Sequence, residues 1–170
     1  RNRPNKGQNQ GSSQHVRTRH TRRARRPASQ KGLEMLRGGC IFDPRQPEDG
    51  VRISVMSIHT ELDGTTPDPR IIDGISYDEH WKVLAPPASL VGRWHRGELG
   101  ALNKDTFDNK FTPAYLKHLE QDDAKSTVET LGKRALREDI TVLCYEPSPK
   151  PGDILLCHRN LLIAHCAEIT

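Results

Sequence analysis

Cys157, His158 and Arg159 are consecutive residues whose side chains could perform chemistry together. An apolar run ending at Glu146 and a proline-rich loop precede them, and an apolar helical pattern follows. A thiolate at a helix N-terminus is stabilised, a histidine moves protons near neutral pH, and an arginine holds phosphate or carboxylate. We therefore predict Cys157, His158 and Glu146 as catalytic residues, with Glu146 orienting His158 or Arg159, and Arg159 as an anion ligand. The alternative is a structural role: Cys157 fills space in the core, and His158 and Arg159 cap the helix and pair with Glu146.

A second group of polar residues lies in the loop after the second predicted strand. Residues 59–75 contain several glycines and prolines and carry His59, Asp63 and Arg70. If the two long strands are parallel neighbours, this loop lies at the same sheet edge as Cys157. We accordingly predict His59 and Arg70 as ligand-binding residues; the alternative is a solvated polar loop.

Zinc is a competing interpretation for the cysteines and histidines near the C-terminus, which are Cys144, Cys157, His158, His165 and Cys166. Helical ligand pairs need a spacing of three or four residues to share a face. Cys157 and His165, like His158 and Cys166, are eight residues apart, or roughly 12 Å along a helix. Neither pair can hold one metal, and the chain has no CxxC or HxxxH motif. We therefore expect no metal and no cofactor, and a Cys144–Cys157 disulfide stays geometrically possible.

The elements that must position these residues form an alternating pattern of strands and helices. Residues 39–42 and 51–58 are predicted strands, and residues 140–145 are a continuous apolar run typical of a buried parallel strand. Helices are predicted at 76–86, 88–96, 105–120 and 123–137, and from about residue 156. Pro113 either kinks the third of these helices or starts it. The pattern predicts a small layered α/β domain with a short, mainly parallel sheet flanked by helices.

The N-terminal residues have a composition of their own. Residues 1–37 hold 11 of the 26 lysines and arginines and one of the 22 acidic residues, so they carry +10 and residues 38–170 carry −6. Residues 1–32 contain one large apolar residue, Val16. We therefore predict a disordered tail over 1–37 and a single domain over 38–170. A dense cationic run could bind nucleic acid non-specifically, with salt-dependent affinity; the alternative is a solvated arm. The run consists of Arg17, Arg19, Arg22, Arg23, Arg25 and Arg26.

The composition also excludes some classes of protein. An acidic domain behind a basic tail is not a uniformly basic nucleic-acid-binding fold. No run approaches the roughly 20 apolar residues of a bilayer span, so we expect no membrane contact. Four sparse cysteines and no signal-peptide pattern in the first 30 residues favour a reduced, intracellular protein.

The order of several short motifs resembles a known family. The motifs are Asp43-Pro44, the strand from Asp49-Gly50-Val51-Arg52, Trp81 with Leu84-Ala85-Pro86, the helix with Phe111, Tyr115 and Leu119, residues 140–146, and Cys157-His158-Arg159. This order is similar to the YeaO-like proteins, the family called domain of unknown function 488, over about residues 39–166. The resemblance implies a compact, soluble, cytoplasmic α/β domain and no particular activity. After its second strand the chain departs from the family's WPRG-like stretch with Ser57-Ile58-His59-Thr60.

Three hypotheses about function remain open on these observations. The first, which we favour, is an enzyme with an anion-binding or phosphate-binding Cys-His-Arg site at a helix N-terminus, acting on a nucleotide-like or phosphorylated small molecule. The second is a non-catalytic module that contacts nucleic acid through the arginine-rich tail and a protein through the acidic domain. The third is a structural domain with no small-molecule site. The oligomeric state does not follow from the sequence.

Overall fold

The computed structural model describes residues 35–61, 63–147 and 156–169. In these residues four parallel strands form one sheet in the order β1-β4-β2-β3. The strands are β1 (Leu36–Cys40), β2 (Val51–Ser54), β3 (Glu79–His80) and β4 (Ile140–Cys144). The predicted α/β class with a mainly parallel sheet is confirmed. The arginine-rich tail lies outside the described residues, so its disorder and its binding to nucleic acid stay predictions.

Strand β4 is the centre of the sheet, as its unbroken apolar run predicts. It pairs with β1 on one side, where Gly38 faces Val142, and with β2 on the other, where Ile53 faces Val142. All five of its residues are buried. Ile140 and Val142 lie in the main core with the helices, whereas Leu143 packs in a smaller second cluster with Ile41. A strand covered on both faces needs this composition.

Helices flank the sheet and close the main core. They are α1 (Ala88–His95), α2 (Thr112–Leu119), α3 (Asp122–Ala135) and α4 (His158–Ile169). A short turn of helix, Lys104–Thr106, and a π-helical turn, Phe107–Phe111, lead directly into α2. Pro113 is therefore the second residue of α2, but it lies inside a helical path that already runs through Phe111 and Thr112. The part of the chain that is described contains no helix long and apolar enough to cross a membrane.

The predicted helix over 76–86 is wrong. Glu79 and His80 form β3, which pairs with Ile53 and Ser54 of β2, and a short 3-10 turn, Lys82–Leu84, follows. Ser76 does not cap a helix, because its Oγ accepts a hydrogen bond from the backbone N–H of Ile72 at 3.0 Å. Glu79 and His80 form a strand because the edge of β2 offers them backbone hydrogen-bond partners, which the local sequence pattern does not reveal.

Two other predicted boundaries shift. Strand β1 begins at Leu36, before the predicted domain start at residue 38, and β2 ends at Ser54 rather than residue 58.

The turn that leads into β2 depends on Gly50, whose φ is 63°. A Cβ at this glycine would lie 1.9 Å from the Asp139 carbonyl oxygen, so only glycine fits where the start of β2 meets the turn before β4.

Candidate active site

Four polar side chains converge where β4 ends and α4 begins. Cys144 is the last residue of β4, and Glu146 follows two residues later. Cys157 directly precedes α4, and His158 is its first residue. The site therefore lies at the carboxyl edge of a parallel sheet, where ligands of α/β proteins commonly bind. The predicted trio of Glu146, Cys157 and His158 is brought together, and Cys144 joins it.

Glu146 links the two thiols. Its Oε2 atom accepts hydrogen bonds from Cys144 Sγ at 2.8 Å and from Cys157 Sγ at 3.1 Å. Both cysteines are buried, with 3% and 2% of their surface exposed. Cys144 and Cys157 are free thiols, so the disulfide that the sequence left possible between them is not formed in this structure. A half-buried carboxylate that accepts two S–H hydrogen bonds is fixed in place and has a route for exchanging a proton with either thiol.

His158 is oriented by partners on both sides of its ring. Its Nε2 lies 3.1 Å from the carbonyl oxygen of Val55, just after β2. A carbonyl only accepts, so this nitrogen donates, and the sulfur of Cys144 lies beside the ring, 3.7 Å from Nδ1 and 3.8 Å from Nε2. Tyr115 packs edge-on against the ring at 5.6 Å and is itself anchored by its hydroxyl, which donates to the Leu84 carbonyl at 2.7 Å.

The thiols titrate as a pair. The hydrogen bond with Cys144, helped by the hydrogen bond and charge of His158, lowers the pKa of Cys157 to about 6 against the opposing effect of burial. The same hydrogen bond, together with burial, raises the pKa of Cys144 well above its usual value. Burial raises the pKa of Glu146, but the hydrogen bonds from the two thiols outweigh it and the pKa is lowered. In this arrangement one thiol ionises and the other keeps its proton.

Arg159 has a different environment from the one predicted. Its surface is 1% exposed. Its Nη1 donates to the Gly39 carbonyl and, at 3.2 Å, to the Glu146 carbonyl. The side chain crosses β1 at Gly38, where an added Cβ would lie 2.9 Å from Nε. Arg159 therefore ties α4 to β1 and to the backbone of Glu146; anion binding by this residue stays a prediction.

A cleft of about 290 Å³ opens beside the polar cluster. Cys144, Glu146 and His158 are among its lining residues. Trp94 also lines the cleft, and its ring meets those of Phe107 and Phe111 edge-on at 5.5 and 5.8 Å. The remaining lining residues are Met56, Ser57, Ile58, Thr60, Pro86, Val91, His95, Tyr145 and Leu156. The cleft is mainly apolar with a few convergent polar groups, which is the usual character of a small-molecule site.

The loop residues predicted to bind ligand lie at the same sheet edge but make other contacts. His59 Nε2 lies 2.8 Å from Ser54 Oγ, and its ring stacks on His80 at 4.0 Å. Arg70 forms an ion pair with buried Asp68 and lies over Phe42 at 4.3 Å. Neither belongs to the described lining of the cleft. Ligand binding by His59 and Arg70 therefore stays a prediction.

The Asp63 carboxylate caps the turn that follows it in the chain. Its Oδ1 accepts hydrogen bonds from the backbone N–H groups of Thr65 and Thr66, each at 2.9 Å. Hydrogen bonds from Thr66 and Thr65 lower the pKa of Asp63 to about 2. The side chain is thus a turn-stabilising carboxylate of the kind that polar loops often contain.

Sequence reasoning did not place Cys144 in the polar cluster and did not find the aromatic side of the cleft. The metal argument considered spacing within one helix, and Cys157 and His165 indeed lie on separate turns. The ligand atoms of Cys144, Cys157 and His158, however, lie within 4.8 Å of one another and could hold a metal ion. The available signal was the position of Cys144 at the carboxyl end of a predicted strand that leads into the helix of Cys157.

Comparisons with known proteins place the chain in a family. A family model described as the active DUF488-N3 subclade matches residues 39–169, which is most of the chain and all of the polar cluster. The searches of curated proteins and of solved structures give no match. The predicted resemblance to the YeaO-like proteins is confirmed at the level of the family, of which they are members. The chain belongs to the DUF488 family, whose domain has no established function.

Proposed function

We propose that this protein is an enzyme that acts on a nucleotide-like small molecule at the cluster of Cys144, Glu146, Cys157 and His158. The observation that carries the proposal is that three of these groups line a cleft with aromatic sides. Reactive groups and a binding surface for a planar ring thus belong to one site. The description of the matching family model as an active subclade supports the same view.

The cleft favours the ring of the substrate over its phosphate. Trp94 is half-buried beside Phe107 and Phe111, so a planar ring could pack on an apolar, aromatic surface. Among the described lining residues there is no lysine or arginine. Stacking on an aromatic side chain contributes about 1–3 kcal/mol per base. We accordingly expect the base or nucleoside part to supply most of the affinity.

The polar cluster has the arrangement that acid–base chemistry needs. His158 is held by the Val55 carbonyl and by Tyr115, so its ring does not have to reorganise during a reaction. Glu146 already accepts hydrogen bonds from both thiols and faces the same cleft. A substrate atom at the polar cluster would meet a sulfur, an imidazole and a carboxylate together. In this proposal Arg159 is a positioning residue, because it holds the backbone at Glu146.

Tryptophan fluorescence tests which molecules bind. The chain has two tryptophans, so Trp81→Phe leaves Trp94 as the only reporter, in the cleft. A panel of nucleobases, nucleosides and nucleoside monophosphates is titrated into this variant, with correction for ligand absorbance. We expect one base class to quench Trp94 and its monophosphate to gain less than about tenfold in affinity. Quenching by inorganic phosphate alone would contradict the preference for the ring.

Turnover of the binding class tests whether the protein is an enzyme. Each bound compound is incubated with the protein, and products are detected by mass spectrometry. Cys157→Ser is the active-centre variant, and Cys166→Ser is its matched control, since Cys166 is also buried on α4. We expect product from wild type and from Cys166→Ser and at most a trace from Cys157→Ser. Tight binding without product in any panel member would favour a binding module.

A further inference from the structure

We propose that Cys144, Cys157 and His158 bind one thiophilic divalent cation, Zn²⁺ by preference, with its fourth position open toward the cleft. The cation would complete the active centre proposed above, and in that respect the inference rests on the proposed function. Two sulfurs and one imidazole nitrogen are a donor set that zinc prefers.

The spacing of the donor atoms matches the size of a tetrahedral site. Bond lengths of about 2.3 Å to sulfur and about 2.0 Å to nitrogen place a sulfur and a nitrogen ligand roughly 3.6 Å apart, and two sulfurs roughly 3.8 Å apart. Cys144 Sγ lies 3.7 Å from His158 Nδ1 and 3.8 Å from Nε2. All three donors lie within 4.8 Å of one another. Closing on a cation would need the His158 ring to turn so that Nδ1 points at the metal, and the sulfurs to shift by about an ångström.

The surroundings of His158 are those of a metal ligand. An imidazole that binds metal usually donates its other N–H to a carboxylate or backbone carbonyl, which fixes the ring and leaves the first nitrogen free to coordinate. His158 Nε2 makes such a contact with the Val55 carbonyl at 3.1 Å. Its Nδ1 is then the nitrogen left to coordinate; it lies 3.7 Å from the sulfur of Cys144, which is 3.8 Å from Nε2.

The position of the cluster indicates an open site rather than a closed one. Cys144 and His158 line the cleft, whereas Cys157 is not among its lining residues. Three protein ligands with a free position are typical of catalytic zinc, and four are typical of structural zinc. Glu146 lies against both sulfurs through Oε2 and also lines the cleft. It could therefore accept a hydrogen bond from whatever occupies the fourth position. A bound cation would supply a Lewis acid at the polar cluster.

Cobalt titration of the full chain tests the site without any knowledge of the substrate. The purified protein is treated with a chelator under reducing conditions, and Co²⁺ is added while absorbance is recorded. We expect one cobalt per chain, with a near-ultraviolet thiolate-to-cobalt band and visible bands of a tetrahedral ion. Zn²⁺ should displace the cobalt and abolish the spectrum, since cobalt and zinc share this geometry and zinc binds more tightly.

Matched variants assign the ligands. Cys144→Ser, Cys157→Ser and His158→Asn should each weaken cobalt binding by at least tenfold, and either serine variant should lower the thiolate band. Cys40→Ser and Cys166→Ser remove the other two buried cysteines and should keep the spectrum. Circular dichroism checks that each variant folds. If Cys144→Ser does not fold, alkylation mapped by mass spectrometry replaces it, with one equivalent of Zn²⁺ expected to protect Cys144 and Cys157 in wild type.

Two results would overturn the metal site. One is a wild-type protein that gives no thiolate-to-cobalt band. The other is an unchanged spectrum in both Cys157→Ser and His158→Asn. If chelated, metal-free protein still converts a nucleotide-like substrate and Cys157→Ser does not, the metal site fails while the proposed function stands.

Discussion

His158 and Val55 join the last helix to the second strand at 3.1 Å, through the imidazole Nε2 and a backbone carbonyl. The carbonyl belongs to the main chain, so its position follows from the sheet and not from a second side chain. Val55 is itself buried and its N–H donates to the Leu143 carbonyl at 3.1 Å. These two hydrogen bonds fix the position of the His158 ring relative to β2 and β4. The geometry of the polar cluster therefore depends on the fold of the sheet.

Close packing between Gly38 and Arg159 predicts that Gly38→Ala is destabilising. The new Cβ would lie 2.9 Å from Nε and 3.0 Å from Cδ of a side chain that is held by two carbonyls. We expect a loss of about 1–3 kcal/mol in the free energy of unfolding, measured by urea denaturation. Gly92→Ala is the matched control, because its Cβ would meet only the end of exposed Arg96 at 2.8 Å. A helical alanine there should be neutral or stabilising, and equal losses in the two variants would refute the account.

Arg159→Ala should affect stability strongly. It removes a buried guanidinium that donates to Gly39 and Glu146 and leaves both carbonyls without that partner. We expect a loss of about 2–4 kcal/mol in the free energy of unfolding. Thermal unfolding with and without inorganic phosphate separates this role from anion binding. Phosphate that stabilises wild type and not Arg159→Ala would support an anion site at Arg159; an unchanged stability would contradict the positioning role.

The stacked histidines predict a loss of stability at mildly acidic pH. Burial, then the charges of His80 and Lys82, lower the pKa of His59 to about 4 against the opposing charge of Asp73. An unfolded histidine titrates near pH 6.5. The folded pKa is the lower one, so the contribution is present in full above about pH 6.5 and decreases as the pH falls toward 4.

His59→Gln tests this linkage. The free energy of unfolding, measured by urea titration at several pH values between 4 and 7, should depend less on pH in the variant than in wild type. His95→Gln, which removes an exposed histidine outside the stack, is the control. Parallel pH profiles for wild type and His59→Gln would show that His59 does not remain neutral in the fold.

Burial of the central strand predicts that Val142→Asp prevents folding. Val142 is fully buried between β1 and β2 and packs in the main core. An unpaired buried carboxylate costs several kcal/mol, which is comparable to the whole stability of a domain of this size. The soluble fraction after expression and the circular dichroism spectrum measure the effect. Leu136→Asp, at a position 48% exposed, should fold normally; a folded Val142→Asp would mean that the sheet is placed incorrectly.

The fold was largely predictable because its main signals are local. The apolar run at Ile140–Cys144 and the helical patterns of α1, α3 and α4 each follow from residues that are close in sequence. Strand β3 was not predictable in this way. Its two residues are a strand only because the edge of β2 offers them backbone partners, and that edge is formed by residues far from it in the sequence.

The candidate site was predictable in part for the same reason. Glu146, Cys157 and His158 are connected by one loop, so the strand–loop–helix pattern was enough to group them. Placing Cys144 in the cluster required knowing where the end of β4 lies relative to the start of α4. Predicting that Arg159 is buried required knowing that β1 lies beside it, because its side chain passes over the space left by Gly38. The aromatic side of the cleft comes from Trp94, Phe107 and Phe111, which three-dimensional packing alone brings beside β4.

The most direct test of the central claim is the turnover rate of the ring-containing substrate by wild type and by variants at the polar cluster. Cys157→Ser, Glu146→Gln and His158→Asn should each lower kcat/KM by about 100-fold or more, the usual effect of losing a positioned acid–base group. Cys166→Ser should retain the wild-type rate, and all four variants should fold. Wild-type rates in Cys157→Ser and His158→Asn would contradict the claim that this cluster is the active centre.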